Sequence, residues 1–214
     1  MQNLLRLAGA CLLIATLWAQ APQRAPHFHT APPKPTSAYD EPLTGYEVAL
    51  LTADFIVNLE RGLSEAFQAP ISTASAGAIQ LEARHPAWVQ PALRELKARG
   101  AIPPKFSADK PMPRYQVGQM LAQYAQRLDA RMREQLGAPQ GVLRFRTQPK
   151  IQLSQRHPAY ASLRYLAQGG WVNAGSPLYR EPTKPIRGKE LPDMLRDIAQ
   201  RILERYRDEP HLRD

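Results

Sequence analysis

The sequence reads as an all-α bundle in which short and long helices alternate, with room for one short strand in a linker. Two kinds of observation carry that reading. Segments recur along the chain, and within them apolar residues fall at steps of three and four, the spacing of one helical face. A third observation clears the ground. One cysteine in 214 residues, with 43% hydrophobic and 22% charged residues, excludes a disulfide framework, a Cys-based zinc site and wholesale disorder.

The first recurrence is the tetrapeptide RHPA at 84–87 and again at 156–159. Each copy opens a short helical pattern that ends in glycine, WVQPALRELKARGAI (88–102) and YASLRYLAQGGWV (160–172). Leu93 and Leu96 match Leu163 and Leu166 on one face, and Gly100 matches Gly170 at the C-terminal cap. The second recurrence appears three times: EPLTGYEVALL (41–51), KPMPRYQVGQML (110–121) and KPIRGKELPDML (184–195). Each opens a longer stripe. The first is Val48, Leu51, Phe55, Leu59 and Leu63; the second is Val117, Met120, Leu121, Tyr124, Leu128 and Met132; the third is Leu191, Met194, Leu195, Ile198, Ile202 and Tyr206. Five helices are therefore predicted, near 45–68, 88–99, 114–136, 158–169 and 189–208.

Their ends are legible too. Thr44-x-x-Glu47 is a capping box; Arg187-x-x-Glu190 keeps half of that device, and Pro113-x-x-Gln116 keeps little of it. Pro91 and Pro192 belong in first turns, because deeper in a helix each would cost about 3 kcal/mol. Gly137 with Pro139 stops the second long helix, and Pro210 the third. The linkers 70–84 and 137–155 carry no clear period, and GVLRFRTQPKIQL within the second is where a strand would fit.

Upstream, residues 1–21 have an arginine at 6, an apolar stretch from Leu7 to Trp18 and the close Ala19-Gln20-Ala21, the pattern of a secretory signal peptide. Cleavage there predicts a mature N-terminus at Gln20 or Pro22, and it removes Cys11. An uncleaved signal anchor and a lipid-bearing Cys11 are the rival readings of the same segment. No later apolar run approaches the ~20 residues that cross a bilayer. Residues 22–43 hold six prolines and no apolar period, which predicts an extended tether that folding does not need. The domain plan is thus signal peptide 1–21, tether 22–43, and a helical repeat domain over 44–214 with a half repeat (44–69) and two full repeats (84–137, 156–208).

These residues resemble the S-layer homology (SLH) domain family. HPAYASLRYLAQGGWV (157–172) matches its short-helix pattern with Pro158 where Trp is usual, AWVQPALRELKARGAI (87–102) matches from Trp88 onward, and TGYE (44–47), PRYQ (113–116) and RGKE (187–190) stand at its long-helix signature. The resemblance spans about residues 39–208. It implies a pseudo-threefold bundle that binds an anionic, often pyruvylated, polymer of the cell wall or peptidoglycan without a covalent bond. It also implies a role for the signature arginine in pairing with the ligand carboxylate, which a planar, always-charged guanidinium suits. Carried across, only Arg114 stands at that position; Gly45 and Gly188 replace it elsewhere, with Arg187 one step away. The expected polymer-binding groove is therefore centred on Arg114, where a helix start adds free N–H groups, and is flanked by Trp88, Arg187 and the loop Phe106–Lys110, with Lys110 as a further cation.

Charge points the same way. The formal net charge is +9, and residues 84–157 hold 14 basic against 4 acidic side chains. An exported basic protein meets anionic wall material more readily than nucleic acid. The recurrent His85 and His157 read as helix-start residues that cap or pack, not as metal ligands or catalysts, and Trp88, Trp171 and Tyr160 read first as core. No catalytic triad spacing, paired-carboxylate signature, phosphate loop or cofactor motif is present, so the sequence reads as a non-enzyme. The alternative function is a structural envelope protein whose bundle holds another envelope protein, or further copies of itself, in place of polymer.

Overall fold

In a computed structural model the described residues are 40–75, 81, 85–138 and 149–206. The signal segment, most of the tether, the first eight residues of the predicted strand segment (141–148) and the stop at Pro210 lie outside them. The chain is all-α. Among the described residues the helices are α1 (Gly45–Phe67), α2 (Gln90–Ala98), α3 (Arg114–Leu136), α4 (Tyr160–Gly169), α5 (Pro177–Arg180) and α6 (Glu190–Tyr206). Five of these are the predicted ones. The one-turn α5, opened by Pro177 behind a Ser176 cap, has no counterpart in the expectation, because four residues are too few to show a period.

The helix signals act as their chemistry requires. The Thr44 hydroxyl accepts from the Glu47 N–H, while the Thr44 N–H donates back to the Glu47 carboxylate at 2.8 Å. Both short helices end with the same hydrogen-bond pair, Ala101 N–H to Leu96 O at 2.8 Å and Trp171 N–H to Leu166 O at 2.9 Å, around Gly100 and Gly170 at φ of 59° and 56°. Only a residue without Cβ adopts that left-handed conformation cheaply.

The stripes of α3 and α6 are buried throughout as expected. On α1 one assignment is corrected: Leu51 is 47% exposed, and the face toward the core is Val48, Ala49, Thr52, Ala53, Ile56, Leu59 and Leu63. Leu51 sits about 100° round the helix from Thr52. Ala49 and Ala53 are both buried on that face. Close approach explains Gly118 on α3, where a methyl group would fall 2.3 Å from Leu163 Cδ2 of α4.

The three long helices start from a shared ring of backbone. Leu43 donates to Ile186 O at 2.9 Å, Ile186 to Met112 O at 2.9 Å, and Met112 to Leu43 O at 2.8 Å. Short antiparallel bridges pair Pro42 with Arg187, Thr44 with Pro111 and Pro113 with Pro185. The three side chains at the centre are buried. Pro42 and Leu43, read from sequence as the end of the tether, therefore belong to the fold. Each helix start is also covered by a loop: Gly45 and Tyr46 donate to Lys110 O and Ala108 O, Arg114 and Tyr115 to Lys184 O and Pro182 O, and Gly188 to Glu41 O.

Candidate functional site

The Arg114 position is filled from within. Its side chain is 4% exposed, and its Nε and Nη2 donate to the two carboxylate oxygens of Glu190 at 2.7 and 2.6 Å. Nη1 donates to the Glu181 carbonyl at 3.2 Å, with the Glu181 carboxylate 3.4 Å away. Hydrogen bonding to Glu190 outweighs burial and raises the Arg114 pKa further. The N–H groups at this helix start go to Lys184 O and Pro182 O. The expectation of an open groove centred on Arg114 is thus corrected. A buried guanidinium requires a counter-charge, and Glu190 supplies it in bidentate form.

The other expected residues are divided between two places. Arg187 is exposed beside this pair, its backbone N–H 3.3 Å from the Glu190 carboxylate. Trp88 stands at the start of α1, edge-on to Tyr46 with ring centroids 5.7 Å apart. Lys110 is exposed and ends the loop that covers the same helix start. The structure therefore brings Trp88 together with the Phe106–Lys110 loop, and Arg114 together with Arg187.

At the Trp88 corner there is a hollow. Beside it Tyr46 is the hub of an aromatic cluster: its ring meets His85 (5.9 Å), Trp88 and Phe106 (6.3 Å) edge-on, and its hydroxyl lies 3.1 Å from His85 Nδ1. His85 and Phe106 then line a cavity of about 310 Å³ whose walls include Leu93, Ile102, Pro103 and Pro104, with Lys97 as its charged member. Exposed Arg94, Lys97, Lys105 and Lys110 belong to the surrounding stretch, where Asp109 is the exposed acid and Glu95 is held by the buried Arg99. Arg127 lies across Gly100 on the cavity wall; a methyl group there would fall 2.4 Å from its Nη2.

Under this corner is a buried polar knot. Arg99 donates from Nε and Nη2 to the Glu60 carboxylate at 3.1 and 2.9 Å, and Glu60 also accepts from the Thr73 N–H and hydroxyl. It ties α1, the end of α2 and the linker that joins them together, and burial pushes the nearby Tyr124 phenol well up. His157 behaves as read from sequence, its Nδ1 accepting from the Ala159 N–H at 3.1 Å and its ring packing on Tyr115 at 4.7 Å, whereas His85 packs on Tyr46 and also lines the cavity. The sequence reading missed Tyr46. The signal available was that Tyr46 and Tyr115 hold the same place in TGYE and PRYQ, and each meets the histidine of the RHPA that follows.

Among the described residues no group of three or more His, Cys, Asp or Glu gathers as metal ligands would, and no helix is long and apolar enough to cross a membrane. The class defined by the described residues is an all-α bundle closed by a backbone ring, with an aromatic-edged hollow in a basic surround. Comparison of the chain with protein-family models, with curated proteins and with solved structures found no match.

Proposed function

We propose that this is an exported cell-envelope protein, not an enzyme, that holds an anionic cell-wall polymer without a covalent bond. The observation that carries the reading is the hollow lined by His85, α2 and the loop from Gly100 to Phe106. A cavity of about 310 Å³ is at the small end of ligand sites. Phe106 and Pro103–Pro104 offer apolar faces to a sugar ring, and Lys97 with His85 offers donors to its negative groups. The resemblance of the sequence to SLH domains supports the same class of ligand, with the binding residues moved from Arg114 to Phe106, Lys97, His85 and the supporting Trp88.

A second reading has its own observation. Arg114, the one arginine at the family's signature position, is committed to Glu190, and the hollow is mainly apolar. Such a bundle would keep the fold and hold another envelope protein. Co-sedimentation of the exported protein with purified wall sacculi, over a salt series, separates the two. The polymer reading expects saturable binding that falls with salt and is lost in Lys97→Ala and Phe106→Ala. No sedimentation at low salt would hand the function to the protein-partner reading.

A further inference from the structure

We infer that Gln116 is a positioning residue for the hollow: it latches the loop that carries Phe106 and sets where that wall stands. The inference rests on the reading of the hollow as the ligand site. Gln116 is the third residue of α3 and the last of PRYQ, the place held by Glu47 in TGYE and, in RGKE, by Glu190, the first residue of α6. In α1 that side chain serves the Thr44 N–H, and in α6 it lies near the Arg187 N–H. In α3 the residue before the helix is Pro113, which has no N–H to offer. Gln116 is thereby released from capping.

Its side chain turns to the neighbouring loop instead. With the residue only 4% exposed, Gln116 Oε1 accepts from the Ser107 N–H and Nε2 donates to Ser107 Oγ, both at 3.0 Å. Ser107 follows Phe106 directly. On the loop's other side, a methyl group at Gly45 would fall 1.9 Å from Ser107 O, and the Tyr46 N–H donates to Ala108 O at 2.8 Å. The segment is held from two helices, by an amide on one and a bare helix tip on the other. Phe106 has little freedom relative to Tyr46 as a result. Sites built this way hold their first contacts rigid through a supporting layer.

The test is a double-mutant cycle on Gln116→Ala and Ser107→Ala, read by sacculus binding, by thermal midpoint and by amide exchange at Ser107. Gln116→Ala should weaken binding about tenfold, the effect of losing a buried hydrogen bond or two. Ser107→Ala keeps its N–H contact and should weaken binding about threefold. The double variant should bind no worse than Gln116→Ala alone, because both act through one latch. Exchange at Ser107 should quicken in Gln116→Ala while the slope of binding against salt stays the same, since no charge is removed. Wild-type binding in Gln116→Ala despite faster exchange would overturn the inference and leave the hollow standing. If wild-type protein does not sediment, the hollow reading fails. Unchanged exchange at Ser107 in Gln116→Ala would overturn the latch on either outcome.

Discussion

The corner where α2 meets α1 and the corner where α4 meets α3 are built from the same parts and end differently. Both have a tyrosine at the second helical position set against an RHPA histidine, a Leu pair on the short helix and a left-handed glycine after it. From Gly100 to Lys110 is ten positions, whereas from Gly170 to Lys184 is fourteen. The longer connection makes α5. It places Leu178 against Leu163 and Gly118, and buries Tyr179, whose hydroxyl donates to Val172 O at 3.3 Å and whose pKa burial raises strongly. The shorter one leaves a hollow beside Leu93, the match of Leu163. Four residues of loop therefore decide whether a corner is filled by its own chain or left open to a ligand.

That contrast can be broken at several points. The largest effect expected is from Arg114→Ala in the filled corner. It leaves Glu190 without its main partner and should cost about 3–5 kcal/mol in chemical denaturation. Wall binding per folded molecule should not change, and a selective loss of binding would return the ligand to Arg114. Next is Leu178→Ala, which removes the filler. A cost of about 2–4 kcal/mol and a new hollow in the second corner are expected; a cost under ~0.5 kcal/mol would mean that α5 does not pack as described.

Trp88→Ala tests the open corner. It removes an edge-on partner of Tyr46 and should weaken sacculus binding by about 1–2 kcal/mol, with a smaller effect on the thermal midpoint. Equal sedimentation of the variant and the parent would exclude the aromatic rim from the site. The smallest effect concerns pH. Asp197, whose carboxylate accepts from the Asn173 N–H at 2.8 Å, has its pKa raised, chiefly by burial. The folded state therefore holds this proton more tightly than the unfolded chain. Stability should fall as pH rises from the unfolded value through the folded one, then level off. Asp197→Asn should flatten that part of the curve, and an unchanged slope would assign it to other groups.

Much of the fold was legible because its signals are local. Stripes, left-handed glycines and the Thr44–Glu47 box each lie within one helix or one turn. Leu51 was misread because a leucine outranks a threonine in any hydrophobic count, and which side of a helix its neighbours cover is a property of those neighbours, not of the stripe. The site was less legible. Arg114 and Glu190 are 76 residues apart, and nothing at either position announces the other. Of the expected site residues, Trp88 and Lys110 lie at the open corner; Arg114 and Arg187 do not, because a loop's reach decides which charges meet.

The ring of Leu43, Met112 and Ile186 also sets an order of events. Leu43 stands just before α1, and its acceptor, Ile186, comes 143 positions later. Contacts of such long separation form slowly, since the intervening chain must be confined before they are rewarded. A chain delivered N-terminus first can build α1 with α2 and α3 with α4, but cannot shut the ring until the residues before α6 arrive. Closure waits for Ile186, so the ring can form only after α1 to α5 have been delivered.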